Sequence, residues 1–167
     1  AAAWQLVTMY WTAREHGLNR LASGEMEYSL LHRDPEREHV PAMLAHGIGL
    51  LPYYPLASGF LTGKYRRGDA MPDGGRLTRF QRYSDRFMTA MNWTRIENLE
   101  AFGKARGHSL LDVAIAWLAA QPVVSSIRLA WAGVFTSPFP TRVMVRTCRR
   151  RWLITDQSPS PPIAWAR

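Results

Sequence analysis

Histidine and cysteine are the side chains most often used near neutral pH as acids, bases, nucleophiles or metal ligands. The chain has one cysteine, Cys148, which excludes an internal disulfide and a cysteine-based zinc site. Its five histidines are His16, His32, His39, His46 and His108. Four lie on or beside predicted helices, and His32 lies in a turn between a predicted strand and a helix. We therefore predict solvated histidines with no catalytic role, and no metal site.

The elements that position these side chains alternate between helices and short apolar strands. Apolar residues at helical spacing predict helices, caps included, over residues 4–16, 34–47, 92–107 and 109–122. Asp34 and Ser109 are the predicted N-caps of the second and fourth helices. Strand patterns occupy residues 21–31, 48–53 and 123–127. A glycine-rich stretch, residues 59–75, lacks periodicity and predicts a loop. This order indicates an α/β fold with a parallel sheet.

Size limits what this fold can be. The chain has 167 residues, of which 47% are hydrophobic and 20% charged, which excludes a mostly disordered, collagenous or coiled-coil protein. Three strands are too few to bury both faces of a sheet, and a complete (β/α)8 barrel needs roughly 250 residues. We therefore expect a fragment of a larger α/β fold that begins inside a helix. The apolar stretch at residues 110–126 is interrupted by Asp112, Gln121 and Pro122, so no membrane span is expected.

The formal net charge of +8 comes mainly from the end of the chain. Residues 1–122 hold 14 basic and 12 acidic side chains, whereas residues 123–167 hold 7 and 1. A basic tail with Trp152 and Trp165 has the composition of a segment that docks on nucleic acid or an acidic partner. An abrupt change to Arg- and Pro-rich sequence favours another interpretation, a shifted reading frame in GC-rich DNA. No nucleic-acid partner is therefore expected.

Several segments, which follow one another in the same order along the chain, resemble one known family. They are residues 27–31, 33–38, 47–53, 54–65, 106–108, 114–118 and 123–126. Together they are similar to the aldo-keto reductases, in the bacterial branch related to the potassium-channel β subunits, over about residues 3–127. The run from Tyr54 to Tyr65 is the most specific part. The resemblance implies a (β/α)8 TIM barrel that transfers hydride from NADPH to an aldehyde or ketone.

Within that barrel the chain would supply the C-terminal half. Residues 23–28 would be the sixth strand, residues 48–53 the seventh, and residues 123–127 the start of the eighth. The predicted domains are therefore residues 1–127, a partial barrel, and residues 128–167, an irregular Arg- and Pro-rich tail. The single cysteine predicts a reducing, cytoplasmic setting.

The resemblance also implies an NADP(H) site. Tyr53 takes the place of the aromatic residue that stacks on the nicotinamide, and Glu25 the place of a glutamine that binds its carboxamide. A carboxylate accepts hydrogen bonds but cannot donate one, so Glu25 supplies half of that pairing. The loop that wraps the pyrophosphate corresponds to Tyr54, Pro55, Leu56, Ser58, Gly59 and Leu61, with Lys64 as a cation. On the residues alone, this stretch is a glycine-rich connection after a buried strand.

No catalytic residue is assigned. The family's Asp, Tyr, Lys and His tetrad lies on segments that would precede Trp4, so the chain alone is predicted to be an inactive piece of a reductase. The tetrad and the carbonyl substrate would belong to the intact enzyme, with a missing N-terminal half. One alternative is a non-catalytic binding or regulatory module, and a weaker one is nucleic-acid binding through the tail.

Overall fold

The structure, a computed structural model, describes residues 2–127. Its helices are α1 (Ala3–Glu15), α2 (His39–His46), α3 (Arg76–Arg79), α4 (Gln81–Phe87), α5 (Ala90–Lys104) and α6 (Leu110–Ala120). Its strands are β1 (Ser23–Glu27) and β2 (Gly49–Tyr53), and 3-10 helices cover Asp34–Glu36 and Ala57–Thr62. The predicted tail and the predicted boundary after residue 127 lie outside the described residues.

Among residues 2–127, the sheet is parallel and has two strands. β1 pairs with β2 so that both end at one edge, with Glu27 opposite Tyr53. The predicted strand at residues 123–127 is wrong in extent, because only an isolated bridge forms, between Leu50 and Val124. The Val124 N–H bonds back to Gln121 O at 3.1 Å in a turn, and Pro122 has no N–H, so pairing begins late. The β-branched residues at this position indicate burial rather than a strand.

One apolar core lies between the sheet and the helices on its outer face. Leu50 of β2 is fully buried there, in contact with a cluster that includes Leu6 of α1, Met43 of α2 and Leu118 of α6. Side chains of a strand alternate between faces, so Leu50 lies on the packed face while Leu51 and Tyr53 lie on the other. Tyr53 is 47% exposed. The opposite face of the sheet is therefore the one that carries accessible side chains.

A second core supports the segment that follows β2. Its buried members are Ala57, Phe60, Leu61, Tyr65, Leu77, Phe87, Ile96, Leu110 and Ala114. They come from the 3-10 helix after β2, from Tyr65 in the segment that follows it, and from α3 to α6. The stretch predicted as an irregular loop therefore begins as a 3-10 helix that is anchored by its own apolar residues.

Several helix ends differ from the prediction. Asp34 begins a 3-10 turn rather than a long α-helix, its side chain forms no cap, and α2 starts only at His39. The predicted end at Gly47 is confirmed, since its φ of 64° is left-handed. α5 is capped by Thr89, whose Oγ1 accepts from Asn92 N–H at 3.3 Å, three residues before the predicted start.

The sequence pattern missed α3 and α4. These helices are only four and seven residues long, and each has one buried residue, Leu77 or Phe87. Such short polar helices have no apolar period to detect. Across residues 2–127, the helices fall short of the length and apolar character required to cross a bilayer.

The predicted cap of α6 is confirmed and has a measurable consequence. Ser109 Oγ accepts from Asp112 N–H at 3.1 Å, and Asp112 Oδ2 accepts from Ser109 N–H at 2.9 Å. We expect Ser109→Ala to lower the free energy of unfolding by about 1 kcal/mol, because the Asp112 N–H loses its side-chain acceptor at the start of the helix. Urea denaturation of Ser109→Ala measures the loss. The exposed Ser126→Ala is the control, and an equal effect in both variants would contradict the capping role.

Candidate functional site

The carboxyl ends of β1 and β2 meet at one edge of the sheet. Glu27 and Tyr53 are the last residues of the two strands and are paired in register, while Glu25 lies opposite Leu51. Glu25, Glu27 and Tyr53 share a sheet face and border a groove of about 460 Å³. Edges of this kind are where ligands bind in open parallel sheets. The structure therefore brings predicted residues Glu25 and Tyr53 to one edge.

The segment after β2 has an unusual backbone. Tyr54, Ala57 and Ser58 have φ values of 50°, 47° and 57°, a region that residues with a side chain rarely occupy. Gly59 follows with φ 95°. Such strained backbone is held in place by surrounding structure and is concentrated at functional sites. The predicted phosphate residues therefore form a defined, strained turn.

Ser58 is the most informative residue of this turn. It is only 8% exposed, and its Oγ has no hydrogen-bond partner within the part of the chain that the structure describes. Buried hydroxyls are nearly always hydrogen-bonded, so such an oxygen requires an explanation. A ligand that supplies the missing partner is one explanation that suits a strained turn.

Lys64 lies beside this turn. A Cβ built on Gly59 would lie 3.7 Å from Lys64 Cε and 3.9 Å from its Nζ. The ammonium also lies over the Tyr65 ring, 5.2 Å from its centroid. Gly59 therefore lets the backbone lie next to a cation, and positive charge beside a glycine backbone favours an anion.

The other predicted phosphate residues contribute differently. Pro55 is half-buried, and Leu56 is a half-buried residue that packs against the second core. Leu61 is fully buried in that core, so its side chain anchors the turn from behind. These residues would contribute to ligand binding through their backbone or through the shape that they give the turn.

The sequence pattern did not identify three residues that support the strand ends: Glu27, Arg86 and Tyr83. Arg86 on α4 forms an ion pair with buried Glu27, 2.5 Å between Nη2 and Oε2. Tyr83 on the same helix shares a hydrogen bond with Tyr54, 3.0 Å between the hydroxyl oxygens. That bond raises the pKa of Tyr54 and, together with Arg82, lowers the pKa of Tyr83. These contacts join α4 to both strand ends.

A separate cluster fixes the chain after β1. The Tyr28 hydroxyl donates to Glu36 Oε1 at 2.7 Å, and Arg33 donates to both oxygens of Glu36 at 2.8 Å. Burial, and then the bond to Glu36, raises the pKa of Tyr28. The hydrogen bond from Arg33, and then that from Tyr28, lowers the pKa of Glu36 against the effect of burial.

Acid should remove the contribution of Glu36 to stability. A carboxyl whose pKa is lower in the folded than in the unfolded chain stabilises at pH values above its ordinary pKa, about 4.3, and loses this as pH falls through the folded pKa. We expect the free energy of unfolding of the unmodified chain to fall more steeply below about pH 5 than that of Glu36→Gln. Urea titrations from pH 7 to pH 3 measure the two slopes. Glu15→Gln, exposed on α1, is the control, and identical slopes for Glu36→Gln and the unmodified chain would contradict the role of Glu36.

The histidines are not all solvated as predicted. His16 and His108 are exposed, but His46 stacks on Tyr10 with ring centroids 4.6 Å apart, and His32 and His39 are half-buried on the groove. Among residues 2–127, no group of three His, Cys, Asp or Glu side chains is arranged to hold a metal ion. Neither result assigns chemistry to a histidine.

Comparison with known proteins identifies the family. The model of the Aldo/keto reductase family matches residues 1–130. The chain belongs to this family, which confirms the resemblance found in the sequence. Members of the family are (β/α)8 barrels, and the α/β class of the described residues agrees with that.

Some of the relatives are named as channel subunits and others as oxidoreductases or reductases. A probable voltage-gated potassium channel subunit beta from Arabidopsis thaliana is 38% identical over 104 residues, 60% of this chain and 31% of that protein. The uncharacterized oxidoreductase YrpG of Bacillus subtilis is 30% identical over 125 residues, 75% and 36%. Versiconal hemiacetal acetate reductase of Aspergillus parasiticus is 29% identical over 129 residues, 72% and 35%. The chain spans about a third of the length of these relatives.

Proposed function

We propose that this chain is the cofactor-holding part of an NADP(H)-dependent aldo-keto reductase. In the intact enzyme it would serve the reduction of an aldehyde or ketone, and a cytoplasmic location is part of the proposal. The observation that carries it is the buried Ser58 Oγ, which has no hydrogen-bond partner among residues 2–127 and lies in the left-handed turn that follows Tyr53. Family membership and relatives named as reductases support the reaction class.

The residues fit the phosphate end of a dinucleotide. Ser58 Oγ would donate to a phosphate oxygen, Gly59 would allow close approach, and Lys64 would supply positive charge. The backbone of residues 54–61, held from behind by Leu61, would wrap the pyrophosphate. The Ala57, Gly59 and Leu61 N–H groups already bond to carbonyls of the turn, so the Ser58 hydroxyl and the Lys64 ammonium are the groups that would meet the phosphates.

The sheet edge fits the other end of the dinucleotide. The exposed ring of Tyr53 would stack on the nicotinamide, because a rigid aromatic side chain can hold a flat ring with little loss of entropy. Glu25 lies on the same sheet face. When bound, the nicotinamide supplies the hydride, and the chain's own residues bind and orient it.

Glu25 should limit affinity for the cofactor. A carboxamide both donates and accepts, but a carboxylate only accepts and adds negative charge. We expect Glu25→Gln to tighten NADPH binding by about fivefold, the equivalent of one hydrogen bond of about 1 kcal/mol. Fluorescence titration of the variant measures this change. Glu38→Gln, exposed before α2, controls for net charge, and unchanged or weaker binding in Glu25→Gln would contradict the assignment.

The chain's part is binding rather than proton transfer. We assign no catalytic side chain within residues 2–127. The acid that protonates the carbonyl oxygen would come from the N-terminal strands of the barrel, which would continue the sheet from β1. Among the described residues, β1 pairs with β2 alone, so its second edge is available for such a strand.

Titration of the full 167-residue chain with NADPH tests this function. We expect NADPH to quench the tryptophan fluorescence in a saturable way, and NADH to quench it less. We also expect no consumption of NADPH when a reactive aldehyde is added. Absence of saturable quenching would contradict cofactor binding, and aldehyde-dependent consumption would contradict the assignment of catalysis to other segments.

A second candidate is a non-catalytic subunit. The observation in its favour is the 38% identity to a relative named as a probable potassium channel β subunit. It expects the chain to form a stable complex of fixed stoichiometry with another protein, whether or not NADPH is present. Sedimentation of the full chain after co-expression with that other protein, with and without NADPH, distinguishes the two candidates. Only the reductase requires nucleotide binding.

A further inference from the structure

Glu27 is a buried acid that the proposed function does not use. It is 7% exposed at the end of β1, and one of its oxygens contacts Arg86 on α4, 59 residues further along the chain. Its other oxygen, Oε1, has no partner among the residues described. A buried carboxylate is costly unless it is paired, so this ion pair must hold α4 close to the strand end.

α4 in turn holds the first residue of the strained turn. Tyr83 hydrogen-bonds to Tyr54, and Phe87 packs edge-on against the same ring with centroids 6.2 Å apart. Tyr54 has φ 50°, which requires support from its surroundings. Two aromatic side chains of one short helix supply that support.

These contacts form a closed loop. Glu27 is paired with Tyr53 across the sheet, Tyr53 precedes Tyr54, Tyr54 is held by α4, and α4 returns to Glu27 through Arg86. We propose that the Glu27–Arg86 pair is a positioning pair that holds α4 in place and keeps the turn at residues 54–59 in its binding conformation. The inference rests on the proposed function only for what the turn binds.

The pair determines the fraction of molecules in which the turn has the conformation that binds NADPH, which we call the competent fraction. If its loss reduces the competent fraction to about a tenth, the dissociation constant for NADPH rises about tenfold. The same change raises amide exchange at Ala57 and Gly59, whose N–H groups bond to Tyr54 O and Leu56 O within the turn. The Leu50 N–H, bonded to Val123 O at the edge of β2 away from β1, should be unaffected.

The experiment compares four variants of the full chain. Arg86→Gln breaks the pair, Arg86→Lys keeps the charge, Glu27→Gln with Arg86→Gln removes both charges, and Arg95→Gln on α5 is the control. We expect Arg86→Gln to raise the dissociation constant for NADPH and the exchange at Ala57 and Gly59 about tenfold. The double variant should add little, because the two residues act through one contact. Arg86→Lys should recover part of the loss, and Arg95→Gln should behave as the unmodified chain.

Exchange measured without nucleotide separates this inference from the proposed function. If the unmodified chain binds no NADPH but Arg86→Gln still loosens Ala57 and Gly59 alone, the positioning role stands and the proposed function fails. Unchanged exchange at these two amides would overturn the positioning role. So would an equal rise at Leu50, because the pair would then stabilise the whole domain rather than the turn.

Discussion

Replacing Gly59 by alanine is expected to weaken NADPH binding about tenfold or more. The added Cβ would take up the space beside the Lys64 ammonium, 3.9 Å from Nζ, where a phosphate oxygen would approach the backbone. It would also occupy a residue with φ 95°, a conformation that favours glycine. The dissociation constant of Gly59→Ala, from fluorescence titration, measures the effect.

Gly47 offers a matched control for the backbone. It too has a left-handed φ, 64°, and a Cβ built on it meets no atom within 4 Å. Both alanine variants should lose about 1–2 kcal/mol of stability from the left-handed backbone. Only Gly59→Ala should lose nucleotide affinity as well. Equal affinity in the two variants would show that the turn does not bind the phosphates.

Leu50→Ala is expected to give the largest loss of stability. Leu50 is fully buried between the sheet and the outer helices, where it contacts the cluster that contains Leu6, Met43 and Leu118. Truncation removes buried apolar surface and leaves a cavity, which costs about 2–5 kcal/mol for leucine. The urea midpoint of Leu50→Ala measures this loss in the full chain.

Leu44→Ala is the control for that change. Leu44 lies on α2 and is 50% exposed, so the same truncation should cost less than about 0.5 kcal/mol. The ratio of the two losses in stability therefore reports that Leu50 faces the core and that Leu44 faces the solvent. Similar losses in both variants would mean that the helices do not pack on the outer face of the sheet.

Much of the fold could be predicted from local patterns. Apolar periodicity gave the positions of α1, α5 and α6, and the apolar run at residues 48–53 gave β2 within one residue. The cap at Ser109 was predictable because all its hydrogen bonds lie within four residues. The same local patterns made the third strand too long, because Val123 and Val124 are buried but form a single bridge rather than a ladder.

The site was predictable only in part. Glu25, Tyr53 and the turn residues followed from ordered motifs, and the structure brings them to one sheet edge. The support from α4 was not predictable, because Glu27 and Arg86 lie far apart in sequence and a helix of seven residues, Gln81–Phe87, is too short to show a repeating apolar pattern. Only the structure could show that Ser58 Oγ has no hydrogen-bond partner among residues 2–127, since burial of a single hydroxyl leaves no sequence pattern.

Hydrogen exchange of the full chain with and without NADP⁺ tests whether residues 53–64 hold the cofactor. We expect the cofactor to slow exchange at the amides of Ser58 and Gly59, and at their neighbours within residues 54–64. We expect little change in α5, which lies outside the sheet edge and the turn. Protection confined to other segments, or no protection at saturating NADP⁺, would contradict the assignment of residues 53–64 as the cofactor site.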